Sequence, residues 1–417
     1  MNLKYGIKIL IFLCLLIIEL FAHNYWLEGY SIHTRTFLYL TAGILIAIIP
    51  ILKINPNRPI RSHWSILPLS FILFGLLSIY VWQFGLELFS TWNVTLENAD
   101  MLPVISKMNE RFIDGKEVYA VIPEIWGGMQ PIYLPTMWMA YLPAFLFEFD
   151  LRWMSIALIM FGLFTTIVLL PDFKQRNYLS FLPVIPAFLL FYTYANKDPM
   201  TLAFSEEGVV MGYYLILMFA LYRGNPFFKG LAFSLCLLSR YSLLFWLIMY
   251  LVHWFIYKSK KEAILMSVYT GIFVLILMFI SEALFRIDLF LGLPKIYDQA
   301  IADPTLKWKY EPMINRNLGI AKYFIYENLP SLSTLFKITS IALPFALLGL
   351  YAKFKDKISE PLFAFCALKL CMVFFYGMII MPFKYLFFTN TILSIALFAV
   401  MIEADRREAD KLIGKSL

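Results

Sequence analysis

Residues 263–285 read AILMSVYTGIFVLILMFISEALF, and the first charged side chain in this run is Glu282. A helix that crosses the hydrocarbon core of a bilayer needs about 20 predominantly apolar residues. The run is long enough and apolar enough to meet that requirement. It therefore predicts a transmembrane helix.

The rest of the chain repeats this pattern. Of its 417 residues, 61% are hydrophobic and only 15% are charged, whereas a water-soluble domain carries about 25% charged residues. Mean hydropathy is +0.73. The composition predicts an all-α, polytopic transmembrane helical bundle that forms a single domain over residues 1–417. The other runs of suitable character are 6–22, 36–52, 65–82, 132–149, 152–170, 179–194, 207–222, 227–239, 241–257, 334–353, 360–378 and 384–401.

Basic residues predict the orientation, because cytoplasmic connections carry an excess of Lys and Arg. The N-terminus contains Lys4 and Lys8, and it is therefore expected inside. Four later segments carry similar basic clusters and are also expected inside: 53–61, 258–261, 353–357 and 406–407. The two long connections, 83–131 and 286–333, are then expected to lie outside.

The number of apolar runs conflicts with this orientation. Six runs lie between the outer segment that ends at 131 and the inner segment that begins at 258, but an odd number of crossings is required. Lys174 and Arg176 place residues 171–178 inside. The surplus run therefore belongs to the pair 132–149 and 152–170. The sequence predicts about 12 spans, give or take one, and one re-entrant or half-crossing segment.

The first outer connection contains a short amphipathic pattern. Met101, Ile105, Met108 and Phe112 recur at helical spacing, and Gly115 follows as a C-terminal stop. We expect a helix that lies in the interface of the outer leaflet.

The sequence lacks the motifs of several common binding sites. Neither a glycine-rich phosphate loop nor a zinc-binding spacing occurs, and the four histidines are isolated from one another. The four cysteines lie inside apolar runs, where small buried side chains are common. The net charge of +7 is dispersed among the connections and predicts no nucleic-acid partner. We expect no bound cofactor or metal site, with a divalent ion left open.

Charged residues inside apolar runs are the most informative single positions. Such a charge costs about 2.5–3.5 kcal/mol at the centre of a membrane helix, so it usually faces a cavity or a partner. Arg240 and Lys369 have apolar flanks on both sides and are expected to do so. Lys384 and Arg286 stand at outer ends, where they could hold a phosphate or simply extend to the lipid head groups.

Acidic residues supply two further candidates. Asp100 immediately precedes the amphipathic pattern, so it is either a general base or the N-cap of that helix. Glu206 and Glu207 fall in a short outer connection before an apolar run. Ordinary solvation of that connection is the simpler interpretation, and contact with a substrate is the alternative.

The order of these features resembles the glycosyltransferase C superfamily, particularly its polyprenyl-phosphate-sugar-dependent, mannosyltransferase-like bacterial members. The resemblance covers residues 65–260, with the outer connection 83–131 inside it. Two extra helices in 1–64 precede this module, and residues 261–417 add C-terminal helices with the second outer connection, 286–333. A lone Asp stands where some relatives carry an acidic pair. The residues that carry the resemblance are Asn98-Ala-Asp100, Gly115 to Tyr119, Gln130 to Pro135 and Asp150-Leu-Arg152.

The resemblance implies an inverting transferase in a bacterial cytoplasmic membrane with its site on the outer face. The donor would be a polyprenyl-phosphate sugar from the bilayer, and the acceptor an external lipid or glycan. The side chains expected at the site are Asp100 as the base, Tyr119 and Tyr133 around the sugar, Arg240, Lys369 and Lys384 at the donor phosphate, and Glu206 and Glu207 near the acceptor.

Two other functions fit a polytopic chain with large outer connections. A surface-polysaccharide polymerase or ligase would bind diphosphate-linked glycans and would depend on outer arginines, of which Arg111, Arg286 and Arg316 are the candidates. A transporter or flippase for lipids or other amphiphiles is the other alternative. Transporters often contain internal repeats, and no repeat is visible here.

Overall fold

The computed structural model describes residues 3–23, 27, 29–51, 66–96, 98–125, 127–171, 178–292, 317–324, 329–378 and 384–414. Most of the predicted outer connection 286–333, including Arg316, lies outside this part of the chain. Within it, regular structure is helical except for one isolated bridge between Ile122 and Met129.

Sixteen helices are named here in chain order. They are α1 (Leu3–His23), α2 (Ile32–Ile48), α3 (Ile66–Thr91), α4 (Met101–Ile113), α5 (Pro135–Met139), α6 (Leu142–Leu146), α7 (Arg152–Leu163), α8 (Val184–Asn196), α9 (Met200–Phe204), α10 (Glu207–Arg223), α11 (Pro226–Leu237), α12 (Leu244–Tyr257), α13 (Lys260–Ile280), α14 (Leu329–Phe354), α15 (Glu360–Met378) and α16 (Phe388–Gly414).

Nine helices in the described residues are long and apolar enough to cross a membrane, as expected of a multi-pass membrane protein. They are α1, α2, α3, α7 with its π-helical continuation to Leu169, α8 with the turn before it, α13, α14, α15 and α16. Three more predicted spans form helices of 17, 12 and 14 residues, namely α10, α11 and α12. At 1.5 Å per residue, α11 is about 18 Å long, which is shorter than the hydrocarbon core of about 30 Å.

The apolar run 132–149 does not form one long helix. It contains α5 and α6, each of five residues, with Pro135 and Pro143 in their first turns. Proline lacks a backbone N–H and is tolerated only in the first turn of a helix, so two prolines this close favour two short helices. Of the two runs that were predicted to include one incomplete crossing, 132–149 is therefore the one that is not a continuous helix. The other, 152–169, is continuous helix.

Helix ends that flank segments predicted to be cytoplasmic meet at one end of the bundle, which we call the inner end. Lys8 near the start of α1 lies 2.9 Å from the carboxylate of Asp405 in α16. The amide of Ser359, just before α15, donates to the carbonyl of Ile51 over 3.1 Å. The Ser359 hydroxyl lies 3.2 Å from Glu408. This arrangement agrees with the orientation that the basic residues predict.

The first outer connection begins later than predicted. We expected it from residue 83, but α3 continues to Thr91, because Phe84 and Leu88 extend its buried stripe. The predicted amphipathic helix is present as α4. Its end is also as predicted, since Gly115 has a φ of +66° and the amide of Lys116 donates to the Arg111 carbonyl over 2.8 Å.

The apolar face of α4 is covered by protein, which corrects our expectation that it would rest on the outer leaflet. Ile105 and Met108 are fully buried, and α4 packs against α5 and α6. The ring of Phe112 meets Trp138 edge-on with centroids 5.4 Å apart. The broken segment 132–149 supplies an apolar partner for this face that the spacing of residues in α4 cannot reveal.

Two glycines allow α7 and α10 to approach closely. A Cβ at Gly208 would lie 2.6 Å from the Cβ of Ser155, and one at Gly212 would lie 2.7 Å from the backbone of Leu158. Gly208 and Gly212 are four residues apart and share one face of α10. This is the small-xxx-small spacing that brings membrane helices into close contact.

Replacing Gly212 by Ala is therefore expected to destabilise the protein by about 1–3 kcal/mol, because the added methyl group overpacks a backbone contact. Thermal unfolding in detergent measures the effect. The matched control is Gly271→Ala in α13, where a Cβ would meet nothing within 4 Å. Equal stability of the two variants would contradict the close contact between α7 and α10.

Candidate functional site

Three ionisable side chains lie together in the interior, at the connections between α9 and α10 and between α11 and α12. Nη2 of Arg240 lies 3.1 Å from Oε1 of Glu206 and 2.6 Å from Oε2 of Glu207. The two glutamates are only 4% and 0% exposed. We call Arg240, Glu206 and Glu207 the outer charge cluster. We predicted that the two glutamates lie in a solvated connection, and this prediction was wrong. The helix α9 packs against α7 and α10, and this packing buries the connection.

The short helices α11 and α12 place this cluster below the outer surface. Their far ends lie at the inner end of the bundle, where Lys258 is 2.5 Å from Glu360 and Arg223 is 3.8 Å from Glu403. From there α11 extends about 18 Å before it ends. Arg240 follows that end, so its distance from the inner end along α11 is shorter than the thickness of a hydrocarbon core, which is about 30 Å.

Several polar atoms in the cluster have no well-formed hydrogen bond among the described residues. They are Nη1 of Arg240, Oε2 of Glu206 and the hydroxyl of Tyr376, which lies beside Arg240. Buried polar atoms are usually satisfied by protein, water or a ligand. Arg240 interacts with the Tyr376 hydroxyl without well-formed hydrogen-bond geometry at Nη1, and Oε2 of Glu206 remains as an acceptor nearby. Because a hydroxyl group both donates and accepts, this combination suits a hydroxyl-bearing ligand.

The charge balance of the cluster bears on the role of Arg240. One guanidinium faces two carboxylates, so Arg240 is not a free cation. A phosphate placed against it would also approach Glu206 and Glu207, which repel it when ionised. The geometry therefore favours neutral polar groups over the donor phosphate that we expected there.

Lys369 forms a second buried ion pair. Its Nζ lies 2.6 Å from Oε1 of Glu19 and 2.8 Å from the carbonyl of Asn390. The hydroxyl of Ser394 donates to the other oxygen of Glu19 over 2.6 Å. Lys369 is 1% exposed and Glu19 is 0% exposed. The expected partner for Lys369 is thus present, and the ammonium is enclosed rather than open to a donor phosphate.

Two consecutive residues of α16 connect this ion pair to the outer charge cluster. The hydroxyl of Thr389 donates to Oε1 of Glu207. The side-chain oxygen of Asn390 accepts a hydrogen bond from Nζ of Lys369, and its side-chain nitrogen donates to the hydroxyl of Tyr39 over 2.8 Å. The network joins α1, α2, α10, α15 and α16, so the position of α16 affects both ion pairs.

An apolar layer separates the network from the inner end. Phe12 and Leu16 lie between Lys8 and Glu19 along α1, and all four side chains are buried. Phe12 stacks on Phe398 of α16 with centroids 5.1 Å apart. Along the contact between α1 and α16, apolar side chains therefore separate the network from the pair of Lys8 and Asp405.

Tyr119 and Tyr133 precede α5, and α5 contacts the end of α11 through Thr136. The Tyr119 hydroxyl donates to the Tyr133 carbonyl over 3.2 Å and accepts from the indole of Trp138 over 3.1 Å. Burial raises the pKa of Tyr119, so its hydroxyl remains protonated. The amide of Thr136 donates to the carbonyl of Leu238, two residues before Arg240, over 3.1 Å. Tyr119 therefore supports the wall of the site, because both roles of its hydroxyl are already occupied.

Asp100 occupies the N-cap position of α4, but its side chain makes no capping hydrogen bond. Its carboxylate is partly exposed and is not used by the helix. No contact described here joins Asp100 to the outer charge cluster. Lys384 begins the 3₁₀ turn Lys384–Phe387, and its side chain lies outside the described part of the structure.

Sequence reasoning missed several members of this network. Tyr376, Thr389 and Asn390 gave no signal, since hydroxyl and amide side chains are unremarkable in a membrane helix. Glu19 was visible as an acid within the first apolar run, but it lies 350 positions from Lys369, and nothing local pairs them. Among the described residues, no group of three or more His, Cys, Asp or Glu side chains could hold a metal ion.

Comparison with known proteins gives no neighbour. No family model, no curated protein and no solved structure matches this chain.

Proposed function

We propose that this protein is an integral-membrane glycosyltransferase of the outer face of a bacterial cytoplasmic membrane. It transfers a sugar from a polyprenyl-phosphate donor, supplied by the bilayer, to a lipid or glycan acceptor. The observation that carries the proposal is the outer charge cluster, in which Arg240 lies between the buried carboxylates of Glu206 and Glu207.

Charged side chains at this depth are costly and commonly mark a substrate pathway or site. The unused atoms of the cluster, Nη1 of Arg240 and Oε2 of Glu206, match the donor and acceptor needs of a sugar hydroxyl. A sugar drawn from the lipid phase can meet them only below the outer surface. The depth of Arg240 therefore supports a donor that arrives through the bilayer.

The proposed reaction needs one base. Asp100 takes the proton from the acceptor hydroxyl, and the acceptor oxygen attacks the anomeric carbon on the face opposite the phosphate. The bond from that carbon to the phosphate oxygen breaks, and polyprenyl phosphate leaves with the bonding electrons. The anomeric configuration is inverted. A phosphate is a good leaving group, so no general acid is required, and a base of this kind contributes about 10²–10⁴-fold.

Two features of the structure weigh against the alternatives. A polymerase or ligase would need outer arginines free for diphosphate, but Arg111 donates to the carbonyls of Ala120 and Val121, and Arg286 pairs with Glu117. A transporter would need polar groups that are exposed in turn to both sides. Along the contact between α1 and α16, the stacked rings of Phe12 and Phe398 separate the buried polar groups from the inner end.

Reconstitution into liposomes tests the proposal. The purified chain is given radiolabelled polyprenyl-phosphate glucose or mannose together with a mixture of lipid acceptors. We expect radiolabel in the acceptor and release of one polyprenyl phosphate for each sugar transferred. If a fluorescent donor instead moves between leaflets without being consumed, the protein is a transporter and the proposal is wrong.

A further inference from the structure

A cavity of about 300 Å³ opens at the outer end, between α4 and the corner that joins α6 to α7. Ligand pockets for small molecules begin at about this size. Its polar lining comes from Ser106, Glu110, Asp150 and Arg152, and two aromatic rings, Phe145 and Phe149, form part of its wall. Its lining does not include Arg240, Glu206 or Glu207, so it is a separate site.

The charges around the cavity cancel. Asp150 lies 2.6 Å from Nη2 of Arg152, and Glu110 lies 3.2 Å from Nζ of Lys107. The cavity therefore favours neither an anion nor a cation. Both oxygens of Asp150 already accept hydrogen bonds from Arg152. The carboxylate of Glu110 retains lone pairs that can accept hydrogen bonds from hydroxyl groups, and the Ser106 hydroxyl can donate or accept. These groups suit a neutral, hydroxyl-bearing head group.

The corner beside the cavity is strongly apolar and exposed. Leu146, Phe147 and Phe149 are 63%, 76% and 39% exposed. They lie at the outer end of the bundle, with the exposed Glu148 between Phe147 and Phe149. Aromatic side chains favour the boundary between lipid and water. The cavity thus opens beside an exposed apolar surface, with Ser106 and Glu110 on the α4 side and Phe145 and Phe149 on the corner side.

We propose that this cavity binds the head group of a membrane-anchored acceptor, that is, a lipid with a neutral hydroxyl-bearing head group rather than a soluble glycan. The role of this lipid as an acceptor rests on the proposed function, whereas its binding in the cavity does not. α4 begins after Asp100, and Ser106 lies about 9 Å along the helix axis from that residue. A head group in the cavity is therefore less than two helical turns from the proposed base.

Binding of two probes to the full-length chain in phosphatidylcholine nanodiscs tests this inference. Octyl β-D-glucoside and methyl β-D-glucoside share a head group, and only the first has an alkyl chain. After subtraction of binding to empty nanodiscs, the octyl probe is expected to bind at least about tenfold more tightly than the methyl probe. Ala144→Phe fills the cavity and is expected to weaken binding of the octyl probe by about tenfold or more.

Glu110→Gln keeps the volume of the side chain while it removes a carboxylate, and it carries the test if Ala144→Phe does not fold. It is expected to weaken octyl binding several-fold. The matched control is Asp114→Asn, since Asp114 is an exposed carboxylate just after α4 that pairs with Lys116 outside the cavity. We expect no change in this control.

Three results are decisive. If both probes bind equally and the variants weaken both, the cavity takes a water-soluble sugar, and the inference of a lipid acceptor is overturned. If neither variant changes binding of the octyl probe, the cavity is not the binding site. If the variants weaken octyl binding but no sugar is transferred from the polyprenyl donor, the amphiphile site stands and the proposed function fails.

Discussion

Asp100→Asn is expected to reduce sugar transfer by about 10²–10⁴-fold, the usual contribution of a general base. Asn has nearly the same shape as Asp but cannot take the acceptor proton at neutral pH. Stability should not change, because the Asp100 side chain makes no capping hydrogen bond to α4. Initial rates of transfer in proteoliposomes with equal amounts of protein measure the first effect, and thermal unfolding measures the second.

The same helix provides the control for this variant. Asp114 stands at its opposite end and pairs with Lys116 in an exposed position. Asp114→Asn removes a carboxylate from the same outer region and should leave transfer unchanged. A near-normal rate for Asp100→Asn would rule out Asp100 as the base, whatever the outcome for Asp114.

Arg240→Met is expected to destabilise the protein by about 3–5 kcal/mol, because it leaves Glu206 and Glu207 buried without their cation. Transfer should be lost as well, since the sugar would no longer have the donor at Nη1. The unfolding temperature in detergent and the transfer rate in liposomes are the two measurements. The control is Arg286→Met. The ion pair of Arg286 with Glu117 is partly exposed and contributes about 0–1 kcal/mol to the free energy of unfolding.

A triple variant separates stability from function. In Arg240→Met combined with Glu206→Gln and Glu207→Gln, no uncompensated charge remains, so most of the lost stability should return. Transfer should remain absent, because the polar groups proposed to contact the sugar are gone. Arg240→Met with the stability of the wild type would show that the carboxylates are not charged and paired as described.

The orientation and the broken run 132–149 illustrate how far local information reaches. Basic residues alone predicted which connections meet at the inner end, and Lys8 with Asp405 lies there. Counting crossings limited the surplus run to one of two neighbours, and the prolines at 135 and 143 explain which one it is. Both arguments work because they depend on a residue and its immediate neighbours.

The burial of the connection that carries Glu206 and Glu207 could not be predicted from neighbouring residues. Glu206 and Glu207 were interpreted as solvated because acidic residues in a short connection usually are. They are buried because α9 packs inward, and their charges are compensated by an arginine 34 positions from Glu206. Similarly, α4 was correctly predicted as amphipathic, but the protein surface that covers its apolar face comes from α5 and α6.

The sequence by itself determined that this chain is a set of apolar helices. In a bilayer each helix must satisfy its own backbone hydrogen bonds, so the length and polarity of a single run are sufficient to predict it. Helix packing, which the sequence does not reveal, leaves α13, the helix of the run 263–285, largely unburied and encloses the apolar part of α16 completely. It also decided that Lys369 meets Glu19 and that Arg240 meets Glu207, because these pairs depend on which helices become neighbours.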